Sequence, residues 1–164
     1  MLGIVCAAAC STETARDPAA LRLRNYAAPL PGVHTSGQPT EEQFAGLAAA
    51  GITRVITLRA ADESGTGWEE ARAHAAGVQF VRLPVAGRDG LTRATVERFA
   101  EALRAGGDAP TLVCCASSNR VGALFALKAA WLDGMPEAEA LDLGRAAGME
   151  RIEPEVQKLL AAPR

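Results

Sequence analysis

Thr111-Leu112-Val113-Cys114-Cys115-Ala116-Ser117-Ser118-Asn119-Arg120-Val121-Gly122 reads as a strand, a short polar loop and the start of a helix. The apolar run delivers a thiol to a loop that ends in an arginine. A thiol at a helix N-terminus beside a guanidinium has a lowered pKa, so its thiolate is available near neutral pH. The same helix end offers unpaired backbone N–H groups to an oxyanion. Two cysteines compete for this position. Cys114 lies six positions before Arg120 and Cys115 lies five before it.

Elements on either side of this stretch alternate between strand and helix. Val33–Ser36 is a short extended piece. Thr40 caps a helix, with Gln43 completing a capping box, and Gly51 stops that helix after Ala50. Val55–Leu58 is a β-branched run of the buried parallel type. A loop at Ala60–Gly67 leads to a helix from Trp68 to Ala76, ended by Gly77, and then to a strand over Val78–Val85. Thr92 caps a helix whose Val96, Phe99, Ala100 and Leu103 share one face. Arg120–Leu132 is apolar enough to be the central buried helix, and Pro136–Ala147 and Pro154–Ala161 follow as two more. Trp68 and Trp131 read as core. The pattern predicts an α/β fold: a mostly parallel sheet of four to five strands with helices on both faces. Ligands of such sheets sit beyond the carboxyl ends of the strands, where the Cys loop and the Ala86–Gly90 loop both fall.

The bulk numbers suit one domain. The chain has 164 residues, 49% apolar and 22% charged, with a net charge of −2. That balance gives no electrostatic case for a nucleic-acid partner. One Tyr, two Trp and four Phe are too few for a base-stacking platform. No apolar run reaches the ~20 residues of a membrane-spanning helix. His34 and His74 stand apart from any cysteine pair, so no zinc-ligand spacing is present and no metal or other cofactor is expected.

The N-terminus has a different character. Met1–Cys10 is uncharged and mostly apolar, and Ala7-Ala8-Ala9-Cys10-Ser11 has the small-small-Cys pattern of a bacterial lipoprotein cleavage site. Residues 1–24 are therefore expected to be an export segment and tether, and 25–164 a single domain. The expected location is the bacterial envelope or periplasm, with membrane attachment only through a lipid on Cys10. The segment is short against the usual ~15–30 residues and lacks a positive n-region. The alternative is an apolar tail on a cytoplasmic protein. With Cys6 and Cys10 in that segment, only the adjacent Cys114 and Cys115 remain. Disulfides prefer Cα separations of ~5.5–6 Å, so a disulfide scaffold is not expected.

Thr35-Ser36-Gly37-Gln38-Pro39-Thr40, the strands Val55–Arg59 and Val81–Val85, and the loop Cys115–Gly122 together resemble the bacterial beta-lactamase-hydrolase-like phosphatase domain. That domain is a branch of the dual-specificity and tyrosine phosphatase-like superfamily. The resemblance covers Asn25 to Met149. Matched position by position, Cys115 falls on the family cysteine and Arg120 on its arginine. Cys114 stands where the family has histidine, and Ser118 where it has glycine. Val121 stands where well-studied tyrosine phosphatases place Ser or Thr.

The resemblance implies a thiol-based hydrolase of phosphate monoesters. Cys115 is the expected nucleophile, passing through a thiophosphate intermediate, and Cys114 the alternative. Arg120 and the backbone of Ala116, Ser117, Ser118 and Asn119 would hold the oxyanion, and Gln38 would orient a water or substrate oxygen. Asp89 is the expected general acid, with Asp62 and Glu63 as second candidates. Glycine at position 118 would permit φ > 0, so Ser118 implies a less favourable loop. Four residues separate Cys115 from Arg120, a loop length resembling rhodaneses, whereas five separate Cys114 from Arg120, the length of tyrosine-phosphatase loops. Two further readings stay open: a sulfurtransferase using a Cys115 persulfide, and a catalytically weak anion-binding module. In each case the partner is a phosphorylated or sulfur-bearing anion.

Overall fold

Two four-residue runs, Arg54–Thr57 and Thr111–Cys114, are buried at every position, and this places them at the middle of the sheet. The computed structural model describes residues 16–162. Its strands are β1 (Ala27–Leu30), β2 (Val33–Ser36), β3 (Arg54–Thr57), β4 (Gln79–Arg82) and β5 (Thr111–Cys114). Its helices are α1 (Glu41–Ala45), α2 (Glu69–Ala75), α3 (Arg93–Arg104), α4 (Asn119–Trp131), α5 (Glu137–Ala146) and α6 (Glu153–Ala161). The five strands lie in the order β1-β2-β5-β3-β4. β2, β5, β3 and β4 are mutually parallel, and β1 is antiparallel to β2. The expected α/β class is the observed one.

Alternation along the strands sorts the side chains into two cores. Val55, Leu112 and Cys114 join Phe44 of α1 and Ala73 of α2 on one face. Ile56, Val113 and Cys115 join α3, α4, α5 and α6 on the other. α4 is the hub of the second core. Its Phe125 meets Phe99 edge to face at 5.2 Å between ring centroids. Gly122 lets α4 touch the end of α5, because a Cβ there would lie 2.3 Å from Met149 N and 2.4 Å from Gly144 O.

Several expectations change in detail. β1 was not anticipated, since Pro29 within it argues against a strand; as an edge strand it tolerates the missing N–H. The Thr40–Gln43 capping box forms, but α1 ends at Ala45 and the chain continues as turns to Gly51, whose φ is +93°. Part of the 1–24 stretch expected as export segment and tether is ordered against the domain. Pro18–Leu21 is a 3-10 turn capped by Asp17, and Leu23 is buried with Phe44 in the first core. The export reading, with Cys6 and Cys10, falls on residues that lie outside the described ones. Among the described residues no helix is long and apolar enough to cross a membrane.

Gly122→Ala should destabilise the fold by about 3 kcal/mol, because its new methyl meets backbone atoms that cannot move aside. A urea midpoint that falls without a change of slope would show it; an unchanged midpoint would mean that α4 and α5 are not locked at this point.

Candidate active site

β5 ends at Cys114, and the loop after it is held on two sides before α4 begins. Cys115 N donates to Ser36 O at 3.3 Å, and Gly37 pairs with Ser117 across an isolated antiparallel bridge. Asn25 Nδ2 donates to Ser117 O at 3.0 Å. The Thr35–Thr40 motif thus forms one wall of the Cys loop. Gly37 is needed there, since a Cβ would sit 3.1 Å from Ala116 O and 3.3 Å from Arg24 O.

The helix end is fixed by side chains rather than by a cap. Ser118 has φ +65°, the left-handed conformation that glycine adopts without strain. Its hydroxyl does not cap α4 but donates to Ala147 O at 3.0 Å. Asn119 Oδ1 accepts from Glu150 N at 3.0 Å and from Ile152 N at 3.4 Å. The N-terminus of α4 is therefore tied to the α5–α6 connection, while its first-turn N–H groups have no intrahelical acceptor. A left-handed residue in such a loop turns successive N–H groups to one side, as in anion nests.

Arg120 carries two ligating edges, and the fold occupies one of them. Nη1 and Nη2 each lie 3.0 Å from an oxygen of the Glu63 carboxylate, a bidentate pair. Nη1 also donates to Val85 O at 2.8 Å and Leu58 O at 3.3 Å, which anchors the start of the Ala86–Gly90 loop. The Nε edge, with the outer N–H of Nη2, is not used by these bonds. Burial alone would lower the Arg120 pKa. The Glu63 carboxylate and the Cys115 thiol beside it outweigh that effect and hold it above its ordinary value. Glu63 responds in kind: the Arg120 hydrogen bonds, with help from Ala60 N and Arg59, overcome burial and bring its carboxyl down to about 2.

Glu63 passes the constraint onward. Its Oε2 accepts from Arg59 Nε at 3.0 Å, and Arg59 Nη1 donates to Gln38 Oε1 at 3.1 Å. Gln38 Nε2 donates to Glu69 Oε1 at 2.9 Å. Glu69 is fully buried, and its other oxygen lies 2.9 Å from Arg82 Nη1. One chain of charges thus links the Cys loop, β3, β4 and the Thr35–Thr40 motif.

A family model described as DSP-PTPase phosphatase fused to NAD+ kinase matches residues 31–159. The chain belongs to this phosphatase family. A beta-lactamase hydrolase-like protein of Xylella fastidiosa (strain Temecula1) is 32% identical over 123 residues, covering 68% of this chain. The chain spans 28% of that curated relative's length. Among solved structures, a DUF442 protein from Shewanella putrefaciens CN-32 is 26% identical with a TM-score of 0.67, covering 84% of this chain and 87% of that one. P. aeruginosa TpbA, solved in complex with pTyr, shares the fold at 21% identity and a TM-score of 0.67, with 89% and 86% covered.

Within this phosphatase domain the candidate residues are not equally close to the loop. Cys114 is fully buried on the opposite face of β5. Burial, reinforced by the charge of Glu69, pushes its thiol far up despite a hydrogen bond from Thr57, so it stays protonated. Cys115 is 1% exposed and lies on the Arg120 side. Ala116 is exposed and Ser117 half-buried. Gln38 faces Arg59 and Glu69, so its amide is spent on the charge network. Asp89 sits on an exposed turn, Gly87–Gly90, just after Val85. Glu63 is excluded as a general acid, because its pairing keeps it ionised. His34 is occupied by Tyr26, whose hydroxyl lies 2.9 Å from Nδ1. Sequence reasoning missed Arg59, Glu69 and Arg82; a glutamate that opens a helix and two arginines near strand ends carry no local signal of their mutual pairing. A cavity of about 690 Å³, around Val33, Thr111 and Phe125, lies at the other end of β5, away from this loop.

Glu63 has a folded pKa of about 2 against an ordinary 4.5, so its contribution is complete above about pH 4.5 and disappears as pH falls toward 2. Glu63→Gln should lack that part of the acid-induced loss; parallel urea-midpoint curves over this window would show that the pair adds no stability. At position 118, a left-handed serine costs about 1 kcal/mol and its buried hydrogen bond returns about as much. Ser118→Gly should then change stability by less than about 1 kcal/mol, while Ser118→Ala, which keeps the strain and orphans Ala147 O, should cost about 1–2 kcal/mol.

Proposed function

We propose that the domain hydrolyses phosphate monoesters through Cys115. The observation that carries this reading is the Arg120 guanidinium, locked by Glu63 through Nη1 and Nη2 with its Nε edge outside that pair, beside the Cys115 thiol at the N-terminus of α4. A guanidinium fixed on one edge and unspent on the other is preorganised for two oxygens of a phosphoryl group. Membership of a phosphatase family, and the pTyr complex of TpbA, support the same substrate chemistry.

The Cys115 thiolate attacks phosphorus; a P–S bond forms and the P–O bond to the leaving group breaks. Asp89, as the carboxylic acid, gives its proton to the departing oxygen. The Asp89 carboxylate then takes a proton from water as the water oxygen bonds to phosphorus. The P–S bond breaks and the thiolate returns, leaving an alcohol and inorganic phosphate. The backbone N–H groups of the Cys115–Arg120 loop and Arg120 follow the phosphoryl oxygens through both steps. Cys114, held protonated in the opposite core, takes no part.

Release of phosphate from p-nitrophenyl phosphate tests the reading. Cys115→Ser should reduce it to background, and Cys114→Ser should not. Asp89→Asn should slow phenyl phosphate, a poor leaving group, at least about tenfold more than the p-nitrophenyl ester, since only the former needs its oxygen protonated. Equal losses on both esters would remove Asp89 from the acid role. Turnover retained in Cys115→Ser would end the proposal.

A further inference from the structure

Among the described residues three that are not glycine have left-handed φ: Arg22 (+50°), Asn25 (+49°) and Ser118 (+65°). Ser118 is in the Cys loop, and the other two bracket a segment that touches it. Backbone strain of this kind persists where the surroundings over-determine it, and it gathers at functional sites. The surroundings here are specific. Asn25 Nδ2 holds Ser117 O, Arg24 O accepts from Gly37 N at 2.7 Å, and Arg22 O accepts from Gln43 Nε2 at 3.2 Å.

The residue presented by that segment is Arg24. Its stem crosses Gly37: a Cβ at position 37 would lie 3.3 Å from Arg24 Cδ and 3.1 Å from Ala116 O. The missing side chain at 37 thus leaves room for the arginine stem to lie beside the Cys loop. Arg24 is exposed, and none of the ion pairs among the described residues uses its guanidinium. The other arginines of the site are committed, Arg59 and Arg120 to Glu63 and Arg82 to Glu69. A further guanidinium, with no ion-pair partner among the described residues, adds a positive charge that the reacting phosphoryl group does not require.

We infer that Arg24 is a specificity-determining residue that binds a second anionic group on the substrate. The substrate class is then a phosphate monoester whose leaving-group side carries another phosphate or a carboxylate. The inference rests on the hydrolase reading for the first phosphate but concerns binding, so it is tested apart from turnover. Arg24 holds the second anion by charge-assisted hydrogen bonds, and the strained Arg22–Asn25 segment keeps its stem in place.

The probes are alkanediol bisphosphates from ethane- to hexanediol, each compared with the matching alkyl monophosphate. Affinities are measured by calorimetry on full-length protein carrying Cys115→Ser, which cannot turn over. The best-fitting bisphosphate should bind about fivefold or more tightly than its monophosphate partner. Arg24→Gln should collapse that ratio toward one, and Arg24→Lys should restore part of it. Circular dichroism checks that each variant is folded; if Arg24→Gln unfolds, the ratio in Arg24→Lys, reduced or unchanged, decides. No preference for any bisphosphate, or a preference that survives Arg24→Gln, overturns the inference. Phosphate release by the unmutated protein separates the two readings. Turnover without a bisphosphate preference sinks only the role of Arg24; absent turnover with no binding of either probe sinks both.

Discussion

The Glu63–Arg120 pair is the constraint on which the site depends. It joins a loop after β3 to the first turn of α4, 57 residues away in sequence, and through Val85 O it also holds the loop after β4. Two charges taken partly out of water lose hydration, and their attraction offsets that loss only when the geometry is good and the remaining donors are satisfied. The geometry is good here: the contact is bidentate, and Nη1 finds two carbonyls besides, which leaves only the Nε edge to be satisfied from outside the pair. The pair leaves the guanidinium one free edge, the one that the proposed phosphoryl contact would use. An arginine without Glu63 would bind the same anion after first losing rotamer freedom, so the carboxylate acts by removing an entropic cost.

The charge network behind the pair explains how a polar site coexists with an apolar sheet. Glu69 sits at the start of α2 and Arg82 at the end of β4, and the buried carboxylate is tolerated because Gln38, Thr57 and Arg82 surround it. That carboxylate has a second effect. It reinforces the burial that keeps Cys114 protonated, so the two adjacent thiols are separated chemically by the sheet itself. One faces a closed core with a negative charge nearby; the next faces an arginine. Alternation of side chains along a strand is sufficient to make neighbours so different.

Much of the architecture was legible in the residues. Buried parallel strands announced themselves as apolar β-branched runs at Val55 and Thr111, and Thr40 and Thr92 marked helix starts by capping chemistry that is complete within four residues. β1 and the early end of α1 were not legible. An edge strand containing Pro29 has weak local preference and is recruited by β2, and α1 stops at Gly46 although the apolar pattern runs on. The packing of Leu23 was hidden for a similar reason: Leu21 and Leu23 alternate with arginines over too short a span to read as an element.

The residues alone were enough for the strand–loop–helix order and for the thiol and arginine within one loop, while the glycine-like position at Ser118 came from the family resemblance. The first two follow from short-range rules, because capping and periodicity are set by near neighbours. Which carboxylate meets Arg120, the ionised pairing of Glu63 and the closing-off of Cys114 came from the three-dimensional packing. Each of those outcomes depends on charges and burial brought together from distant segments, and the pKa of a group is a property of its surroundings, which no local window contains.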